Sequence, residues 1–468
     1  MSSSGENTLR LAPGARAVHR HLSAVHERFL DFVERHPECL ARSTFATIDD
    51  PAPLTPFPMQ SWPTFVSRQT LARMGAVAVN LCRLVKSIPE RVFGRDPGRI
   101  AGFYGMEREF AEVLVTVLDQ VGSLEPLVAR GDFIGIGDGA QCLEYNFSSD
   151  LTGWATKNWV DRYLRVAVIR EFLAEERVET SYKDPMHLFF EHAVADIERR
   201  LDPLPPEVNV FIALHPGEQV RDGLIAYANE EYRSFLQRTG RPFTGEVLFL
   251  PLAELRSAAG AVEAGGKVVH VLVDRFSGRL APAVFAHWLD GSVLLYNGPF
   301  TKLLGDKRNL ALLSEQAEAG GLSHGEARLV AKHVPWTRVV ADKFTSRNGK
   351  RHYVPDVLLE HREELVLKAA SSYGGLDVVI GRWTAPGEWE RRVDEALEEG
   401  FWIAQDWVEP PSYLYRCGNR GCALHHVVWG LFVYGPTYAG GCLRMTPTAH
   451  QKVVNSTQGA EEGIFFEV

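Results

Sequence analysis

Along the first 125 residues, apolar and polar positions alternate with a helical rhythm, interrupted by irregular joins. Leu71 to Pro89 (LARMGAVAVNLCRLVKSIP) repeats apolar residues at three-to-four spacing and predicts a helix. Ser43 to Pro63 holds five prolines and predicts a long, ligand-covering loop. From residue 126 to 155 short apolar stretches and glycines give way to CLEYN, the texture of a hairpin. A helical block follows, in which Met186, Phe189, Phe190, Ala193, Val194, Ile197 and Leu201 share one face before Pro203, Pro205 and Pro206 stop it. VNVFIAL, GLIAYANEEYRSFLQRTG, EVLFLP and KVVHVLVD then read β, α, β, β, a small and mainly parallel α/β layer. In the last third, ELVLKA is a strand, GEWERRVDEALEEG a helix ending at Gly400, and FWIAQDWV a strand. HHVVWGLFVYG and CLRMTP read as paired strands. The fold class expected is α+β or α/β in several lobes, divided as 1–125, 126–207, 208–290 and 291–468.

Composition narrows the function. At 468 residues the chain is longer than one typical core, so two or three packed domains are expected. Hydrophobic content of 45% and charged content of 23% are those of an ordinary globular protein. A formal net charge of −9 gives no basic footprint for nucleic acid. The longest apolar runs reach about half a membrane span. The start lacks an apolar signal core, and six scattered cysteines suggest free thiols in a reducing compartment, so a cytoplasmic protein is expected.

Four segments carry candidate chemistry. In Ala129 to Gly153, Glu144 and Asn146 lie two apart on a strand and so share a face. A hairpin closing near Gly137 to Gly139 would set Asp132 opposite them. Two carboxylates and an amide oxygen are a ligand set for Mg²⁺ completed by nucleotide phosphates. On spacing alone, a D-G turn beside a solvated Glu144 explains the same residues. In ELVLKAASSYGGLDVVIG, a strand delivers Lys368, and a loop with Ser371, Ser372, Gly374 and Gly375 returns into a second strand. A lysine ammonium suits phosphate, and small residues let backbone N–H groups approach phosphate oxygens. An ordinary hairpin with a surface lysine is the competing reading. FWIAQDWVEPP offers a hinge for an adenine edge, from backbone groups around Trp407 and Val408 and from the Gln405 amide; a buried strand before a Pro-rich turn is the plainer account. Near the end, Arg444 and Asn455 stand where a guanidinium could meet phosphates.

Other arrangements fall short. Cys417, Cys422, His425 and His426 have an unusual spacing for zinc, and the two histidines would face opposite ways on a strand. Asp132 to Gly139 is too short for an EF-hand, and no G-x-S-x-G elbow is present. Most tryptophans read as core.

Together the four segments resemble the ATP-grasp superfamily, in particular the circularly permuted branch that includes glutathionylspermidine synthetase-like enzymes. RGD…LEYN precedes the lysine, glycine loop and hinge, which is the permuted order. The resemblance covers residues 125–155 and 290–468. It implies that Arg130 contacts the transferred phosphate, that Asp132, Glu144 and Asn146 hold magnesium, and that Lys368 and its loop hold ATP. Where many relatives follow the lysine with proline, this chain has Ala369. NGPFTKLLGDKRNLALLS resembles a segment whose lysine, here Lys307, reaches the nucleotide; Lys302 and Lys343 are the alternatives. The implied activity is ADP-forming C–N ligation of a small-molecule or peptide carboxylate to an amine, with ATP and Mg²⁺. Phe57 to Trp62 and Ser148 to Trp154 are the expected substrate contacts. A kinase, or a nucleotide-binding regulatory protein without turnover, are the rival readings.

Overall fold

The computed structural model describes residues 18–45, 57–122, 124, 127–147, 153–214, 217–218, 220, 222–274, 280–372, 377–418, 421–450 and 453–468. Helices dominate up to Val121, as the apolar spacing predicts. The helix Arg68–Lys86 is capped by Ser67, whose side chain accepts from the Thr70 N–H. It lies close against the strands behind the site. A Cβ on Gly75 would sit 2.6 Å from the Tyr438 ring, so only glycine permits that approach.

The larger antiparallel sheet runs in the order Glu461–Gly463, Thr437–Pro447, Gly421–Tyr434, Val128–Ile134, Gln141–Asn146. Ser412–Cys417 pairs with the first half of Gly421–Tyr434. The expected hairpin therefore forms, turning through Gly137–Gly139, and Asp132 stands opposite Glu144 while Arg130 stands opposite Asn146. A register shift after Asp132 leaves Leu143 unpaired in the ladder.

A smaller antiparallel sheet has the order Thr337–Val339, Trp402–Asp406, Leu365–Ala369, Val378–Ile380. Period-two alternation divides its residues cleanly. Leu365, Leu367, Trp402 and Ala404 enter a core of their own with Trp389, Val393 and Val357, while Val366, Lys368 and Gln405 face a cavity.

The parallel layer has the order Leu294–Tyr296, Val271–Val273, Val210–Leu214, Val247–Pro251, with Asp222–Arg238 as a crossover helix. Its fourth strand comes from beyond residue 290. KVVHVLVD is not one strand: Lys267–Val268 joins a separate three-stranded antiparallel sheet, and only Val271–Val273 enters the parallel one. Both faces of the layer are buried. Phe211, Ala213 and Leu272 meet the main core, whereas Val210, Ile212 and Val271 pack with Phe189 and Phe190 of the predicted helix Pro185–Arg200.

One pairing between distant segments has no local signal in the sequence. Thr64–Val66 pairs in parallel with Phe465–Glu467. Among the described residues no helix is long and apolar enough to cross a membrane.

Candidate active site

The larger and the smaller antiparallel sheet both line a single cavity of about 780 Å³, within the range of small-ligand sites. From the larger sheet, alternation presents Arg130, Asp132, Ile134, Glu144 and Asn146, with Val428, Cys442 and Arg444 on neighbouring strands. Their alternates Ala129, Phe133, Cys142 and Tyr145 enter the core behind. Arg130 lies flat across Gly430, where a Cβ would come 2.8 Å from its Cδ.

Asp132, 2% exposed, is the hub of this face. Its Oδ1 accepts from Arg130 Nε at 2.7 Å, and its Oδ2 accepts from Arg130 Nη2 at 3.0 Å and from Asn146 Nδ2 at 3.1 Å. Arg444 Nη2 lies 2.6 Å from Oδ1. The contact is an ion pair, and the buried Nε of Arg444 has no hydrogen-bond acceptor among the described residues. Burial alone would raise the Asp132 carboxyl, but Arg130 and Arg444 reverse this and hold it well below the usual carboxylate range. Burial likewise opposes the Arg130 charge, and Asp132 more than restores it.

Glu144 is less enclosed. Its Oε1 accepts from Asn146 Nδ2 at 3.3 Å and its Oε2 lies 3.6 Å from Lys307 Nζ. Asn146 directs its N–H groups at two carboxylates, which leaves its carbonyl oxygen as the atom for another partner. Glu144 and Asn146 thus fit a hard divalent cation.

The smaller sheet contributes Lys368, whose Nζ donates to Gln405 Oε1 at 2.7 Å and to Leu143 O at 3.4 Å. The latter carbonyl is the one freed by the bulge in the hairpin. Burial pushes the Lys368 ammonium down to about 8, against the opposing pull of Glu144. Lys307 joins the two sheets: its Nζ donates to Ser372 O at 2.7 Å while facing Glu144, and its N–H donates to Ala370 O at 2.9 Å.

Thus Arg130, Asp132, Glu144, Asn146, Lys307, Lys368, Ser371, Ser372, Gln405, Trp407, Val408, Arg444 and Asn455 all line the cavity. Gly374, Gly375 and residues 148–152 lie outside the described residues. Lys302 also reaches the cavity, but Lys343 is paired with Glu315 at 2.6 Å and is not among the lining residues. The Gln405 amide is engaged by Lys368 and, through Nε2, by Thr337 Oγ1 at 3.1 Å. Trp407 N–H donates to Glu364 O at 2.6 Å. Of the expected substrate contacts, Phe57 lines the cavity, whereas Trp62 is core and Trp154 packs on Phe189.

Sequence reasoning missed Asp377, Trp383, Glu462 and Cys442 in the lining, and Thr337 behind it. The register that sets Thr337 opposite Gln405 is a tertiary fact with no local signal. The sequence singles out His426 only by its spacing to Cys417 and Cys422. It faces the cavity, while His425 turns away to pack edge-on against Tyr415.

A solved structure of a glutathione synthetase-like effector from Globodera pallida, in its apo form, superposes with a TM-score of 0.55. The two are 13% identical, over 94% of this chain and 96% of that one. In fold, this chain is similar to a glutathione synthetase-like protein. A gamma-glutamylcysteine synthetase from Methylobacillus flagellatus matches at TM-score 0.41 and 12% identity, over 87% of this chain and 90% of that one. D-alanyl-alanine synthetase A from Vibrio cholerae matches at 0.29 and 10%, over 55% and 74%. No family model and no curated protein sequence matches the chain.

Proposed function

We propose that this protein is an ATP- and magnesium-dependent ligase that joins a carboxylate to an amine through an acyl phosphate, with ATP-grasp motifs in circularly permuted order. One observation carries the reading. Glu144 and Asn146, more than 200 residues before Lys368 in the chain, meet Lys307, Lys368 and Arg444 around one cavity. That set suits a metal–triphosphate better than it suits a buried strand pair.

In this reading Val366 and Ile380 give the adenine an apolar wall, and the backbone at Val408 meets its edge. Lys368, Lys307 and the Ser371–Ser372 backbone hold the phosphates. Glu144 and Asn146, with Asp132 beside them, would hold magnesium, which would supply charge neutralisation on the phosphate oxygens. A substrate carboxylate oxygen attacks the γ-phosphorus and ADP leaves. Arg444 and Arg130 stabilise the charge that develops on the transferred group. The amine nitrogen then attacks the acyl carbon, inorganic phosphate leaves, and the amine gives up a proton to form the amide.

The test is ADP release against panels of amino acids, short peptides and polyamines, with mass spectrometry of the products. ADP formation that requires both a carboxylate and an amine, with an amide as product, is the expected result. Phosphorylated product without an amine would make it a kinase. Nucleotide binding with no turnover on any panel would leave a regulatory protein.

A further inference from the structure

We infer that Arg308, which is not among the residues lining the cavity, is a positioning residue for Lys307 and so for the joint between the cavity's two walls. The inference rests on the ligase reading, in which Lys307 holds nucleotide phosphates.

Arg308 opens the helix Arg308–Ala319, and Lys307 stands directly before it. The guanidinium is buried and meets Asp306 side-on, with Nε 3.0 Å from Oδ1 and Nη2 2.7 Å from Oδ2. Asp306 Oδ1 also accepts from the Arg308 backbone N–H at 2.8 Å. These bonds close a ring over residues 306–308 with Lys307 in the middle. The direction in which the Lys307 side chain leaves the backbone is therefore set by its two neighbours.

The rest of the guanidinium joins distant parts of the chain. Its Nη1 donates to Phe103 O at 2.7 Å, at the end of the helix Pro97–Tyr104. Its Cζ lies 4.9 Å from the Phe103 ring centroid and 4.8 Å from that of Phe401. Phe401 stands directly before the strand Trp402–Asp406 of the smaller sheet, and its carbonyl accepts from the Ala370 N–H at 2.8 Å. Ala370 O accepts in turn from the Lys307 N–H at 2.9 Å. Lys307, Ala370, Phe401 and Arg308 thus form a closed circuit of contacts. Through it the smaller sheet is fixed to the segment that carries Lys307, and through Phe103 to the helices before the larger sheet. A buried ion pair adds little net stability over apolar side chains of the same size. What Arg308 supplies here is direction, since only a planar fork bonds Asp306 and Phe103 O at once. Lys307 Nζ is then held between Ser372 O and Glu144, where the two walls meet.

The test is calorimetric titration of the full-length protein, in Mg²⁺, with the non-hydrolysable imido analogue of ATP. Arg308→Met keeps the length of the side chain but makes none of its bonds. It should weaken binding by about tenfold, within the range of coupling between side chains in contact. In a Lys307→Ala background the same change should cost less than about twofold, because the group that Arg308 positions is gone. Arg308→Lys keeps the charge without the fork and should lose about as much as Arg308→Met. If the Arg308 variants do not fold, Phe401→Leu decides in their place. That ring is 45% exposed, and its loss should cost about threefold with Lys307 present and nothing without it. Equal losses in the two backgrounds, full affinity in Arg308→Lys, or no loss in any variant would overturn the inference while leaving the ligase reading in place. Wild-type protein that does not bind the analogue would sink the ligase reading, and this inference with it.

Discussion

On the larger antiparallel sheet, the cavity's charges are held by one another. Arg130, Arg444 and Asn146 converge on Asp132, on three strands continuous with the main core. On the smaller sheet, Lys368 has only neutral oxygen partners, Gln405 Oε1 and Leu143 O. The difference lies in how each face keeps charge out of water. The larger sheet pairs its charges with one another locally. The smaller sheet holds a buried cation at a cost, which an anion would relieve. In the proposed nucleotide site, the first wall is held by its own ion pairs and the second gains its counter-charge from phosphate.

The sharpest way to break that contrast is at the lysine. Lys368→Met should cost at least about a hundredfold in turnover, the order expected when a charge-stabilising group is lost from a buried site. It should not lower the thermal midpoint. A cation held below its unfolded value costs stability at any pH below its folded value near 8, so its removal should raise the midpoint. Unchanged kcat/KM, or a marked drop in the midpoint with turnover intact, would take Lys368 out of the site.

Lys307 is the bridge between the two walls. Lys307→Ala should weaken ATP about ten- to a hundredfold, the worth of one or two charge-assisted hydrogen bonds. Calorimetric titration reads this directly, and an unchanged affinity would show that the walls do not depend on it.

The contrast also has a pH signature. Free Lys368 loses its proton near pH 8, and bound phosphates would hold it protonated to higher pH, so binding takes up a proton. ATP affinity should be level below pH 8 and fall by up to about tenfold per unit above it. A flat profile to pH 9 would argue that no phosphate meets this lysine. On the proposed hinge reading, with Val408 as the backbone donor, ATP should be preferred over GTP by about tenfold, since the guanine edge reverses donor and acceptor. Equal use of both would reduce FWIAQDWV to a plain strand.

The smallest effect on the site should come from a pair of histidines far from it. His19 and His26 stack with ring centroids 4.9 Å apart, His19 Nε2 accepting from Leu414 N–H and His26 Nδ1 from Phe65 N–H. Burial holds both below their ordinary value, His19 down to about 4. The unfolded chain takes up these protons first, so stability should fall as pH drops from 6.5 towards 4. For His19 alone the loss is about 3 kcal/mol. Denaturant midpoints across that range would show it, and nucleotide affinity per folded molecule should stay unchanged until the site's own groups titrate.

The sequence alone picked out residues that come to line one cavity, and the strand face that each occupies. Period-two alternation places Glu144 and Asn146 together, a D-G turn between apolar runs folds Asp132 back towards them, and apolar positions at helical spacing fix the helices around Met74 and Phe189. These are local rules, satisfied by neighbours within a few residues. Tertiary structure decided whether the segments meet and what each group is bonded to when they do. Gln405 turns to Lys368 and Thr337 because strands from three separate parts of the chain align there. Lys307 rather than Lys343 reaches Glu144, since the loop after Lys368 passes beside it. Thr64–Val66 pairs with Phe465–Glu467, and KVVHVLVD divides between two sheets. Such partners are set by packing between distant elements, and a charge buried there takes its bonding from whatever that packing brings within reach, which no local pattern encodes.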